Sequence, residues 1–98
     1  VYKLSALAHR DFLNILDYTE NHFGAAQADS YAASLENTLN TLADSPLIGK
    51  KYTDLMGNPI MRFPHQQHMI FYRVRQNDIF VVRILHQQME TKLHITYN

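Results

Sequence analysis

The apolar period of this chain changes once, near residue 60, and that change constrains the fold more than any other feature. Before it, Ala8, Phe12, Ile15, Leu16, Thr19 and Phe23 recur at helical spacing behind Ser5, a residue type that caps helix N-termini, and Gly24 is placed to end the run. This predicts a first helix over about residues 6 to 22. A second helical period runs through Ala28, Tyr31, Ala32, Leu35, Leu39 and Leu42 until Ser45-Pro46 stops it, and the short connection at Gly24 makes the two helices an antiparallel hairpin. Residues 44 to 59 contain Pro46, Gly49, Gly57 and Pro59 and no sustained period, so they read as the longest loop, with Lys50-Lys51 exposed on it. From Ile60 onward the pattern is short β-rich runs: Ile60 to Phe63, His68 to Arg75 and Ile79 to Leu85, separated by Pro64-His65-Gln66-Gln67 and Gln76-Asn77-Asp78. These predict a three-stranded antiparallel meander. With the alternating N-terminal segment added as a strand, the order is β-α-α-β-β-β, an α+β fold in which an α-helical hairpin packs on one face of an antiparallel sheet.

Along the last two runs the sets Met69, Phe71, Arg73, Arg75 and Ile70, Tyr72, Val74 alternate, followed by Ile79, Val81, Arg83, Leu85 and Phe80, Val82, Ile84, His86. Large apolar groups point both ways, and the connection at Gln76 to Asp78 leaves open which sets share a face. One helical layer covers one sheet face, so the other is expected to be closed by the loop, the C-terminal tail or another chain.

Ninety-eight residues make a single domain, 1–98, with one core, and a content of 46% apolar and aromatic residues argues against disorder. The longest apolar runs are far too short to cross a bilayer, and Val1-Tyr2-Lys3-Leu4-Ser5 lacks the long apolar stretch of a signal peptide. The absence of cysteine excludes a disulfide scaffold, thiol catalysis and cysteine-ligated zinc; a cytoplasmic location is expected. Net charge is zero, but residues 1–49 carry −4 and residues 50–98 carry +4. Such asymmetry can steer an acidic partner to one face, and it falls short of the strongly basic footprint of a general nucleic-acid binder; direct sequence-specific DNA binding is not expected.

No Gly-rich phosphate loop, G-x-S-x-G elbow or H-E-x-x-H motif occurs. His65-Gln66-Gln67-His68 is the one close histidine pair; without accompanying carboxylates it reads as polar turn residues, while His9 and His22 are expected to face water. No metal and no cofactor is expected. Arg62, Arg73, Arg75, Arg83, Lys50, Lys51 and His86 remain as a cationic set with one titratable group, the minimum kit for metal-free RNA cleavage if it converges and a set of partner contacts if it does not.

Several of these residues stand in an order that resembles the ParE toxins of the RelE/ParE superfamily over nearly the whole chain. The matching features are Tyr2-Lys3-Leu4-Ser5 with Ala8; Ile15, Tyr18 and Phe23-Gly24; Gln27-Ala28 and Tyr31 followed by Leu35; Leu42, Pro46 and Gly49; Arg62; His68-Met69-Ile70-Phe71-Tyr72-Arg73; and Arg83-Ile84-Leu85-His86. The resemblance implies the toxin of a bacterial type II toxin-antitoxin system, wrapped and neutralised by a cognate antitoxin, alone or in a dimer or higher assembly. ParE-like toxins are described as inhibiting DNA gyrase and replication, whereas RelE-like relatives cut messenger RNA on the ribosome. The whole-chain match favours the gyrase inhibitor, for which no catalytic residue is expected; the alternative nuclease would rest on Arg62, Arg83 and His86.

Target contacts are then expected from Arg83, His86, Met89, Lys92 and Leu93, on a mobile tail running from Gln87 to Asn98. Antitoxin contacts are expected from Phe71, Arg73, Val81, Arg83 and Leu85 on the second sheet face, along with the helical hairpin.

Overall fold

The computed structural model describes residues 1–54 and 56–88. Strand β1 (Tyr2–Leu4) leads into helices α1 (Ala6–Phe23) and α2 (Ala25–Asp44); a 3-10 turn (Pro46–Ile48) then precedes β2 (Lys50–Thr53), β3 (Pro59–His65), β4 (His68–Val74) and β5 (Ile79–His86). The expected helices are present because their ends are locally encoded. Ser5 Oγ accepts the Ala8 N–H at 2.9 Å, and Gly24, at φ 93°, ends α1 by donating its N–H to the Glu20 carbonyl before α2 starts at the next residue.

The five strands lie in the order β1-β5-β4-β3-β2, with β1 parallel to β5 and every other pair antiparallel. The helical hairpin covers one face. Tyr31, Leu35, Leu39 and Leu42 of α2, with Ala8 of α1, pack on Met61, Ile70, Tyr72, Ile79, Val81 and Ile84. A smaller cluster of Ile60, Phe71 and Leu85, with Tyr52 and Met69 against it, occupies the other face.

Residues 44 to 59 are not simply a loop. They contain the 3-10 turn and β2, which pairs with β3 from Lys50↔Arg62 to Thr53↔Pro59. A four-residue strand that begins with two lysines at a sheet edge carries no apolar alternation to reveal it. The turn that follows is organised by the buried Asp54, whose Oδ1 accepts the N–H groups of Met56 and Asn58, both at 2.9 Å. The segment Pro64-His65 also belongs to a strand and not to the turn. Because β2 pairs with β3 only as far as Arg62, the outward side of β3 at Pro64 has no strand partner among the described residues, and a missing N–H costs little there. The turn proper is Gln66-Gln67, with Gln66 at φ 53°.

A β-bulge settles the register that strict alternation left open. Phe71 stands opposite Arg83 and Tyr72 opposite Val81, so Val82 has no partner on β4. The inserted residue inverts the alternation within β5: Ile79 and Val81 face the helices before it, and Ile84, with His86 opposite His68, does so after it.

Candidate functional site

Between the C-terminal half of α1 and the end of β5, the two layers part into a groove of about 560 Å³. Its walls are the C-terminal half of α1, Gln27 and Tyr31 of α2, the β3–β4 turn from Gln66 to His68, and Arg83 to His86 of β5. Tyr18 and Phe23 form an exposed aromatic rim, and the His22 ring stacks on Tyr18 with centroids 4.0 Å apart.

The charged pair in the groove is Asp11 and Arg83. Arg83 donates from Nε at 2.7 Å and from Nη2 at 3.0 Å to the two carboxylate oxygens, and the Ile84 backbone N–H donates to the same carboxylate at 3.0 Å. The geometry follows from the short β1, which pairs with β5 only as far as Val81 and leaves the edge of β5 beyond it to α1. An aspartate one turn into that helix reaches the exposed edge.

Beside this pair lies a histidine cluster. Tyr31 Oη and His68 Nδ1 share a 2.7 Å hydrogen bond; His68 meets His86 edge-to-face at 5.5 Å between centroids, and His65 packs on the other side of Tyr31 at 5.4 Å. His65 is buried and bonded to Thr38 Oγ1 at 2.8 Å and Ser34 Oγ at 3.3 Å. Burial, reinforced by the neighbouring His86 and His65 and opposed by Asp11, pushes His68 down to about 4. Burial also lowers His65 and pushes the Tyr31 phenol up to about 12. Near neutral pH, Tyr31 and His68 are therefore both uncharged, and each is several units from the range where proton transfer is efficient. Among the described residues, no group of three or more His, Asp or Glu side chains is placed to hold a metal ion.

The residues singled out from sequence are dispersed. His86 faces the groove beside His68, and Arg83 is turned to α1 by Asp11. Arg62 sits two strands away, its guanidinium 5.1 Å from the centre of the Tyr52 ring on β2. Arg62, Arg83 and His86 thus do not converge on one point. Of the five expected antitoxin contacts, Phe71, Val81 and Leu85 are buried, with Val81 in the helix-side core and the other two beneath the opposite face; Arg73 is exposed and Arg83 is half-buried. The bulge is what separates Val81 from Leu85. Gln87, expected to open a mobile tail, is instead tied to the β3–β4 turn: its N–H donates to Gln67 O at 2.9 Å and its side-chain amide to Gln66 O at 2.8 Å. Met89, Lys92 and Leu93 lie outside the described residues.

Sequence reasoning missed Tyr31, Asp11 and the packing of His65 and His68. The helical period explains Tyr31 only as core, which is half its role, and the His65–His68 spacing suggests no more than a polar turn. His9 and His22 are exposed as expected, and Lys50 and Lys51 remain exposed although they lie on a strand. No helix among the described residues is long and apolar enough to cross a membrane.

Known proteins resemble this chain both in sequence and in architecture. Residues 2–91 match the family described as the ParE toxin of the type II toxin-antitoxin system, parDE. The chain is 33% identical to Toxin ParE1 of Caulobacter vibrioides over 94 residues, which span 96% of each chain. It is 34% identical to Toxin ParE of Escherichia coli over 91 residues, covering 91% of this chain and 86% of that protein. Among solved structures, a chain of the chromosomal ParDE TA system from P. aeruginosa superposes with a TM-score of 0.72 over 87% of this chain and 92% of that one; at 16% identity it speaks for the fold alone. The chain therefore belongs to the ParE toxin family of type II toxin-antitoxin systems.

Proposed function

We propose that this toxin arrests growth by binding DNA gyrase, without cleaving RNA, and that its cognate antitoxin holds it inactive. The observation that carries the non-enzymatic part is the dispersal of Arg62, Arg83 and His86: one arginine is engaged by Asp11, the other lies over Tyr52 across the sheet, and the His86 ring meets His68, a neutral imidazole, and accepts the Gln88 N–H. A phosphate transition state needs cations and a proton-transfer group aimed at one point. Inhibition by binding needs none of these, only a surface, and the aromatic-rimmed groove supplies one. Membership of the ParE family supports gyrase as the target, since the sequence resemblance associates ParE-like toxins with gyrase inhibition.

The test is a supercoiling assay with purified gyrase, run beside an assay for cleavage of ribosome-bound messenger RNA. Inhibited supercoiling with intact messenger is expected; cleavage with unaffected gyrase would overturn the proposal. His86→Gln sharpens the comparison, because it keeps a polar side chain and removes proton transfer: a gyrase inhibitor retains substantial activity and a histidine-dependent nuclease loses it.

A further inference from the structure

The groove between the helical hairpin and the end of β5 is lined by four side-chain amides. Asn14 and Gln27 contribute two from the hairpin, and Gln66 and Gln67 contribute two from the β3–β4 turn. Gln87 fixes that turn through the carbonyl oxygens of Gln66 and Gln67, so the turn is held without either of its side chains. All four residues are exposed, and among the described residues none of their amides makes a hydrogen bond. An amide presents a donor and an acceptor side by side, a pattern that matches the edge of a planar ring carrying the same pair.

The rest of the lining narrows the ligand. Tyr18, its ring stacked on His22, and Phe23 supply exposed aromatic surface at the rim, against which a flat ring system can stack. His86 accepts the Gln88 N–H on Nδ1 at 3.2 Å, so in its neutral form the ring carries its proton on Nε2 and adds a donor to the amides. Apart from Arg83, no lysine or arginine lines the groove among the described residues, and apart from Asp11, no carboxylate does; these two are paired with each other. A phosphate therefore finds no dedicated cation there, and the hydroxyls of a sugar find no dedicated carboxylate. The volume of about 560 Å³ lies within the roughly 300–1,000 Å³ of small-molecule sites.

We propose that this groove binds a free purine base or nucleoside, its ring system stacked at the Tyr18 rim and its donor–acceptor edge read by the amides of Asn14, Gln27, Gln66 and Gln67. A base within a strand brings phosphates on both sides and a nucleotide brings at least one, and neither gains from a lining whose arginine is committed to Asp11. Recognition through stacking and neutral hydrogen bonds is little affected by ionic strength, because no net charge is screened. Such binding is a property of the toxin alone and does not depend on gyrase as the target.

Adenosine is titrated into the full, isotope-labelled chain and followed by NMR, beside purine riboside, ribose, adenosine monophosphate and a short single strand of deoxyadenylate. We expect saturable shifts at Gln27, Tyr31 and Gln67, similar affinity at low and high salt, and weaker binding of purine riboside, which lacks the exocyclic amine. Gln27→Met and Asn14→Leu keep the side-chain shape without the amide, and each should weaken adenosine binding about fivefold with the melting temperature little changed. Asn40→Leu, far along α2, should bind as the wild type does. Absence of saturable shifts at the groove up to about 5 mM adenosine overturns the proposal, as does unchanged affinity in both amide variants. Ribose binding as tightly as adenosine would mark a sugar site and overturn it. The monophosphate or the strand binding more than about threefold tighter than adenosine would mark recognition of phosphate and overturn it too.

Discussion

Asp11 and Arg83 are suited to a double-mutant cycle because the structure gives them a role that competes with the one expected from sequence. If Arg83 serves mainly to contact a target, Asp11→Asn should leave stability almost untouched. The geometry says otherwise: the Asp11 carboxylate accepts from Arg83 Nε, from Arg83 Nη2 and from the Ile84 N–H, and the two side chains are only 12% and 13% exposed. Removing one member of a fully buried pair costs about 3–5 kcal/mol, and the residual exposure here brings the expectation to about 2–4 kcal/mol. For a domain of this size each kcal/mol lowers the melting temperature by roughly 4–8 °C, so a loss of about 3 kcal/mol lowers it by at least about 12 °C. Urea unfolding of Asp11→Asn, Arg83→Met and the double variant should give a coupling energy of at least about 2 kcal/mol, the double variant being milder than the sum because neither charge is left behind alone. A coupling below about 0.5 kcal/mol, the value of a solvent-screened pair, would refute the reasoning and return Arg83 to the surface charges.

Two further perturbations test the packing around the site. His68 titrates at about 4 in the folded chain against about 6.5 when unfolded, so its contribution is complete above pH 6.5 and is lost as pH falls toward 4. The shift corresponds to roughly 3 kcal/mol, of which about half survives solvent screening of a half-exposed ring; the wild type should lose about 1–2 kcal/mol more than His68→Gln across that window, and an NMR titration midpoint near 6.5 for His68 would refute this. At Gly49 a Cβ would collide with the Tyr72 hydroxyl and lie 2.8 Å from the Arg62 carbonyl oxygen. Gly49→Ala should therefore break the 2.7 Å hydrogen bond from Tyr72 to the Pro46 carbonyl and destabilise by about 1–3 kcal/mol, whereas an unchanged urea midpoint would show that the 3-10 turn yields freely.

What could be read from sequence was what local chemistry determines. Ser5, Gly24 and Pro46 bound the helices because capping and chain stopping act within a few residues, and the apolar stripe of α2 shows its period without help from the sheet. The bulge at Val82 was out of reach because nothing adjacent in sequence breaks the alternation; it exists because both halves of β5 must deliver apolar side chains to the same helical layer. Strand β2 was hidden for the opposite reason, since an edge segment led by Lys50-Lys51 has no inward-facing apolar set to show. The site was the least legible part. Asp11 reaches Arg83 across 72 positions and Tyr31 reaches His68 across 37, separations at which no spacing rule operates. Arg62, Arg83 and His86 had the composition of a nuclease, but composition carries no direction, and Tyr52, Asp11 and His68 each draw one of them a different way.

The outer edge of β5 is held by three kinds of partner in succession. Backbone pairing with β1 ends at Leu4↔Val81, the Ser5 hydroxyl then donates to the Val82 carbonyl at 2.7 Å, and the Asp11 carboxylate receives the Ile84 N–H. Helix α1 is thus stitched to the sheet by its cap and its second turn, along a strand edge where another sheet would simply continue with another strand. Sliding of the helical layer over the sheet, the shear motion by which packed layers usually accommodate a ligand, would have to break both stitches at once. Among the described residues no such stitch holds the Gly24 end of the hairpin, so accommodation of a partner is displaced there, while the corner carrying Asp11, Arg83 and the end of β5 moves as one piece.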